Sequence, residues 1–184
     1  MKEYINMIAR NNFCVPAVLC SILHAESYSV TQEAIADVLG ITVPINAAET
    51  VSDISNVKFS DNDIDWGVKI KSNSLNDMFS RFDIKLRETY IPINTIAEEC
   101  FAEVLNLHLL EGEHIVCGFN YSSLYSLPYA NYGHVSIICD VKSDRVILLD
   151  PGPKDAGIKS VMADNLYLAI RKRADGLWCI SKIS

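Results

Sequence analysis

The sequence predicts an α+β domain on three observations. Helical patterns come first, β-rich runs fill the C-terminal half, and a hairpin signal joins two of those runs. The first helix spans Phe13 to Ala25, a continuous apolar stretch with Pro16 in the first turn, where a missing N–H costs nothing. A second follows in QEAIADVL, with Thr31 as its cap, Val30 and Ile35 as a hydrophobic staple, and Gly40 as its left-handed stop. Residues 47–65 are rich in Ser, Asn and Asp and predict a long surface loop. A short helix over 75–82, a strand over 84–91 and a long amphipathic helix over 94–110, stopped by Gly112, complete the first part.

Beyond this point strands dominate. HIVCGFN (114–120) predicts a strand, and a tyrosine-bearing loop runs from Tyr121 to Gly133. HVSIICDV (134–141) and RVILLD (145–150) flank Lys142-Ser143-Asp144 and predict an antiparallel hairpin. A helix over 161–171 and a last strand over 177–183 finish the chain, which reads as one domain over 1–184.

Composition removes several classes of function. With 16 basic against 23 acidic residues the net charge is −7, which opposes binding to nucleic-acid phosphates or to an anionic membrane surface. No run approaches the roughly 20 apolar residues of a membrane span. The apolar run from Phe13 to Leu23 has a thin basic start and an internal proline, so it is not expected to be a signal peptide. The 6 cysteines include no C-x-x-C pair, which argues against zinc knuckles and thioredoxin-type redox pairs. Four of them lie inside apolar runs as free thiols, and a reducing, cytoplasmic setting is expected. The acidic run Asp61 to Asp65 fails as a calcium loop, because Trp66 replaces the required Gly and Ser72 the chelating Glu.

Cys14 differs from the other cysteines. It stands at the start of the first helix, where unpaired N–H groups and the helix dipole favour a thiolate and form an anion site. A thiol nucleophile needs an imidazole within reach and a third group to orient it. Among the 4 histidines, His24 lies about 15 Å along the same helix and is too far. His108 belongs to the face of the long helix, and His114 starts a strand without a suitable acid after it. His134 begins one hairpin strand and Asp150 ends the other. A three-residue turn pairs Ser136 with Asp150 and makes His134 and Asp150 diagonal neighbours on one face, roughly 7–8 Å apart between backbones. A two-residue turn would place them on opposite faces.

NFCVPAVLCSIL (12–23), the second helix ending in LGI, and GHVSIICDV followed by RVILLDPGP together resemble the papain-like cysteine peptidase superfamily. The C39-like branch, which includes bacteriocin leader peptidase domains, is the nearest match. The order Cys, His, Asp is also similar to phytochelatin synthases. The resemblance implies a papain-like α+β fold, with a helical part packed on a C-terminal antiparallel sheet. It implies Cys14 as nucleophile, His134 as general base and later acid, and Asp150 as orienting group. It also implies peptide or acyl-carrier substrates, hydrolysis or acyl transfer through an acyl-enzyme, and no metal or cofactor. Two positions depart from the family pattern. Val15 replaces the Gly after the nucleophile, and Ile8 stands where these families place an oxyanion-stabilising Gln. Asn11 or Asn12 is expected to supply that donor instead. Tyr121, Tyr125, Tyr129 and Tyr132, in the loop leading into His134, line a substrate groove, with Tyr129 and Tyr132 the foremost candidates, or pack as rim aromatics on the sheet edge. A non-catalytic binding module on the same fold is the reading from a different class.

Overall fold

The computed structural model of the chain describes residues 2–63, 66–70, 74–127 and 132–183. Helix α1 (Cys14–Ala25) buries every residue from Val15 to Leu23, and Phe13 just before it is buried as well. Helix α2 (Gln32–Leu39) starts as its sequence predicts, with Thr31 Oγ1 accepting the Ala34 N–H at 3.2 Å. Gly40 ends it at a positive φ of 80°, but with ψ 140° the chain leaves extended rather than through the left-handed helical stop expected.

The middle of the chain holds more structure than its composition suggests. Strands β1 (Ile41–Val43) and β2 (Val57–Phe59) form a parallel pair, with 3₁₀ turns over Ile45–Val51 between them. The 47–65 segment is therefore not one loop: Val57 and Phe59 are too few alternating residues to signal a strand alone, and partner Ile41–Val43 supplies the ladder. Helix α3 (Ser74–Arg81) and strand β3 (Leu86–Pro92) follow as expected. The helix expected over 94–110 starts only at Phe101, as α4 (Phe101–Leu110), behind short 3₁₀ turns at 93–95 and 98–100. Extended backbone at Ile96 (φ −107°, ψ 126°) breaks it, while the Thr95 hydroxyl donates to the Pro92 carbonyl at 2.7 Å and favours a local turn.

Strands β4 (His114–Asn120), β5 (Gly133–Lys142), β6 (Arg145–Asp150), β7 (Gly157–Met162) and β8 (Gly176–Lys182) join β3 in a six-stranded sheet of order β3-β8-β4-β5-β6-β7. Every neighbouring pair in it is antiparallel. Side chains alternate between two cores. Val116, Val135, Ile137, Trp178 and Ile180 pack with α1, α2 and α3, whereas Ile115, Cys117, Ile138, Leu177 and Cys179 pack with α4 and helix α6 (Ala163–Arg173). Two elements differ from expectation here. Residues 161–162 belong to β7 rather than to the last helix, because Lys159 and Val161 face inward while Ile158 and Ser160 face out. The loop 121–133 begins with a single helical turn, α5 (Tyr121–Tyr125), capped by the Asn120 side chain on the Ser123 N–H at 2.9 Å.

The hairpin register reaches the expected result by another route. Lys142 pairs with Arg145, so the turn has two residues, and Ser143 adopts φ 56°. That turn alone would put His134 and Asp150 on opposite faces. A β-bulge between Ile138 and Asp140 shifts the ladder by one residue, so that Ile137 pairs with Leu149. The register beyond the bulge is the one a three-residue turn would have set, and both residues face the same side.

Gly176 opens β8 opposite Pro92, and a Cβ there would collide with the Ile91 carbonyl. Gly176→Ala is expected to cost about 1–3 kcal/mol, because the obstacle is backbone and cannot rotate away. A urea titration showing an unchanged midpoint would contradict this. No helix among the described residues is long and apolar enough to cross a membrane.

Candidate functional site

The site forms where β5 begins, β6 ends and α1 starts. Cys14 is the first residue of α1 and half-buried; Phe13 N–H bonds the Arg10 carbonyl, Ala17 N–H bonds the Phe13 carbonyl and Pro16 has none, which leaves the Cys14 and Val15 N–H groups as the donors of this helix start. His134 is the second residue of β5 and Asp150 the last of β6, and both are buried. His134 Nε2 lies 2.9 Å from Asp150 Oδ1, and Cys14 is close enough to the same ring to act on its charge. With Nε2 committed to the carboxylate, Nδ1 is the nitrogen left for the sulfur. The ring is fixed sideways by Phe119 and Tyr121, whose edge-on contacts place centroids 5.6 and 5.2 Å away. The structure thus brings together the three residues singled out in the sequence.

Electrostatics favour a charged imidazole. Burial alone would depress the His134 pKa, but the bond to Asp150 and the nearby Cys14 outweigh it and raise it to about 9. Burial would likewise raise the Asp150 carboxyl. Its contacts with His134, the Gly152 N–H and Lys159 instead hold it below the ordinary carboxylate range.

Asp150 is surrounded by donors. Oδ1 accepts from the Gly152 N–H at 2.8 Å as well as facing His134. Oδ2 lies 3.3 Å from Lys159 Nζ and accepts from the Tyr125 hydroxyl at 3.5 Å. Lys159 was not legible as a site residue, and Tyr125, expected only as a groove or rim aromatic, donates to the carboxylate. The β7 register opposes Leu148 to Lys159 and Asp150 to Gly157, which makes Lys159 a diagonal neighbour of Asp150 on the inner face. Only recognition of β7 as a strand could have signalled it. The Asp-Pro-Gly-Pro segment is more than a turn, since its Gly152 supplies one of the carboxylate's donors. Gly133, just before His134, leaves the space that the Arg173 guanidinium occupies.

The other expected residues are placed less tightly. Asn11 is exposed, and Asn12 takes a left-handed φ of 67° that turns the chain into Phe13 and Cys14. Ile8 is 63% exposed, while Val15 is buried in the core. Tyr132 stacks on Tyr121 at 5.0 Å between centroids, close enough to Cys14 for the two to interact electrostatically, and Tyr129 lies outside the described residues. Of the remaining histidines, His24 is exposed, and His108 Nδ1 pairs with Glu113 at 2.6 Å. His114 is wholly buried and does have an acid partner, Glu26 at 2.9 Å, distant in sequence and therefore invisible to local reading. His108, Glu113 and Cys179 hold ligand atoms within 4.8 Å of one another, apart from the triad, and each already has a partner within the group. All six cysteines are free thiols, and Cys100 is exposed.

No family model and no curated protein matches the chain. Solved structures do. One described as a C39-like peptidase from Bacillus anthracis superposes with a TM-score of 0.62 at 12% identity, covering 99% of each chain. The peptidase domain of Streptococcus ComA, a bifunctional ABC transporter involved in quorum sensing, gives a TM-score of 0.59 at 11% identity over 100% of each chain. The chain therefore has the papain-like fold of C39-like peptidases.

Proposed function

We propose that this protein is a thiol-dependent amide hydrolase acting on a peptide or acyl-carrier substrate. The observation that supports the reading is the buried His134–Asp150 pair, held at 2.9 Å, with Cys14 beside it at a helix start. The Cys14 sulfur attacks the carbonyl carbon, forming the C–S bond and driving the electron pair onto oxygen. The N–H groups at the start of α1 face that oxyanion, with an amide from Asn11 or Asn12 as the additional donor in place of the missing Gln. His134 passes its proton to the leaving amine as the C–N bond breaks. Water, deprotonated by His134, then releases the acyl group, and an amine in its place gives transfer instead.

A second reading, a binding module on the same fold, is favoured by Ile8, which presents an exposed aliphatic side chain where the family has its amide. Iodoacetamide alkylation separates the two. Cys14 is expected to be alkylated well below pH 8, faster than the exposed Cys100 in the same sample, and His134→Ala should slow it by about 10-fold or more. Equal rates for Cys14 and Cys100, unaffected by the substitution, would remove the enzyme reading.

A further inference from the structure

The relay has a fourth member whose chemistry is unaccounted for. Asp150 is 1% exposed, and its Oδ2, on the side away from His134, faces the Lys159 ammonium at 3.3 Å. Lys159 is itself only 18% exposed, and its ammonium sits over the Tyr125 ring at 4.9 Å and the Tyr121 ring at 5.9 Å. This is a held cation rather than a mobile surface lysine: a carboxylate on one side and two aromatic faces below fix its position.

We propose that Lys159 is a positioning residue for the relay. Its ammonium keeps Asp150 ionised and directed at His134 Nε2 while the imidazole is neutral, and limits how tightly the ring holds its proton. The inference rests on the reading of Cys14, His134 and Asp150 as a catalytic relay.

The physical need follows from the cycle. When His134 surrenders its proton to the leaving group, a buried carboxylate with no other cation would be left uncompensated, at a cost of several kcal/mol. The imidazole would then resist giving the proton up. Lys159 supplies a permanent positive charge on the opposite oxygen, so Asp150 is balanced in both protonation states of the ring. The other groups near this pair are His134 from β5, Cys14 from α1, Cys117 from β4, Tyr121 and Tyr125 from α5, and Tyr132 ahead of β5. The Arg173 guanidinium of α6 lies beside Gly133 and acts on Asp175, whereas Lys159 is the cation that contacts Asp150 Oδ2.

The test is an NMR titration of the His134 ring in wild type, Lys159→Met and Lys159→Arg, with His134→Gln assigning the signal. Met keeps the aliphatic stem on the tyrosine rings and removes only the charge. His134 is expected to titrate roughly one pH unit higher in Lys159→Met and to return toward wild type in Lys159→Arg. A purely structural role would perturb folding without that paired rise and rescue. An unmoved or lowered midpoint in a folded Lys159→Met protein, or no recovery with Arg, overturns the proposal. The titration reads His134 whether or not Cys14 is reactive. Failure of the enzyme reading would show separately, as Cys14 alkylation indifferent to His134→Ala.

Discussion

Asp150→Asn is expected to lower Cys14-dependent turnover by about 10³–10⁴-fold, the scale seen when the orienting acid of such a relay loses its charge. Part of the loss is electrostatic. Without the carboxylate, burial dominates the His134 environment, and its pKa falls from about 9 toward or below the ordinary 6.5. The alkaline limb of the pH–rate profile therefore moves to lower pH. The rest is geometric. Oδ1 faces two donors, Gly152 N–H and the His134 ring, while Oδ2 faces Lys159 and the Tyr125 hydroxyl. A carboxylate accepts on both oxygens, whereas an amide must turn its NH₂ toward the Gly152 N–H or the Lys159 ammonium. A stability loss of about 1–3 kcal/mol is expected to accompany the rate loss. Steady-state rates and urea melts on the same preparation check both, and a variant with full activity would remove Asp150 from the relay.

Acid should weaken the fold through a different histidine. His114 Nδ1 lies 2.9 Å from the Tyr4 hydroxyl and its Nε2 lies 2.9 Å from Glu26, which also bonds Lys182 at 2.7 Å. Burial depresses the His114 pKa to about 4, with the nearby Lys2 charge acting in the same direction and the bond to Glu26 opposing both. The ring is therefore neutral, donating to Glu26 and accepting from Tyr4. Burial would raise the Glu26 carboxyl, but the bonds from Lys182 and His114 overturn it and hold it low. Between the ordinary 6.5 of the unfolded chain and about 4, the unfolded state binds the proton that His114 refuses. Stability is thus intact above this window and falls as the pH drops through it, by roughly 3 kcal/mol. His114→Gln keeps a donor and an acceptor without titrating, so its stability should lose most of that slope. Equal slopes in both proteins, measured by urea unfolding from pH 7 to 4, would assign acid sensitivity to other groups.

Much of the candidate site was legible because each proposed member carries a local signal. Cys14 opens an apolar helix with a proline in its first turn, and His134 and Asp150 bracket a hairpin. What escaped depends on partners remote in sequence. Lys159 belongs to a short strand that exists only because β6 pairs with it, and Glu26 meets His114 across 88 residues. The break at Ile96 escaped for a related reason: the apolar period runs on through it, while Thr95 and its own backbone favour a turn. The oxyanion side is the least determined by sequence, since Asn11 and Asn12 sit in a turn whose geometry no periodicity encodes.

The bulge beside Cys139 separates two demands on one hairpin. The far end can vary its turn, while the near end must keep His134 and Asp150 on a common face. A ladder that paired Cys139 instead of bulging it, closed by the same two-residue turn, would turn the imidazole to the other side of the sheet. Moving that extra residue from the bulge into the turn would leave the pair in place. A two-residue turn with the bulge and a three-residue turn without it therefore present the same site. What the hairpin must conserve is Ile137 opposite Leu149, not the length of its turn.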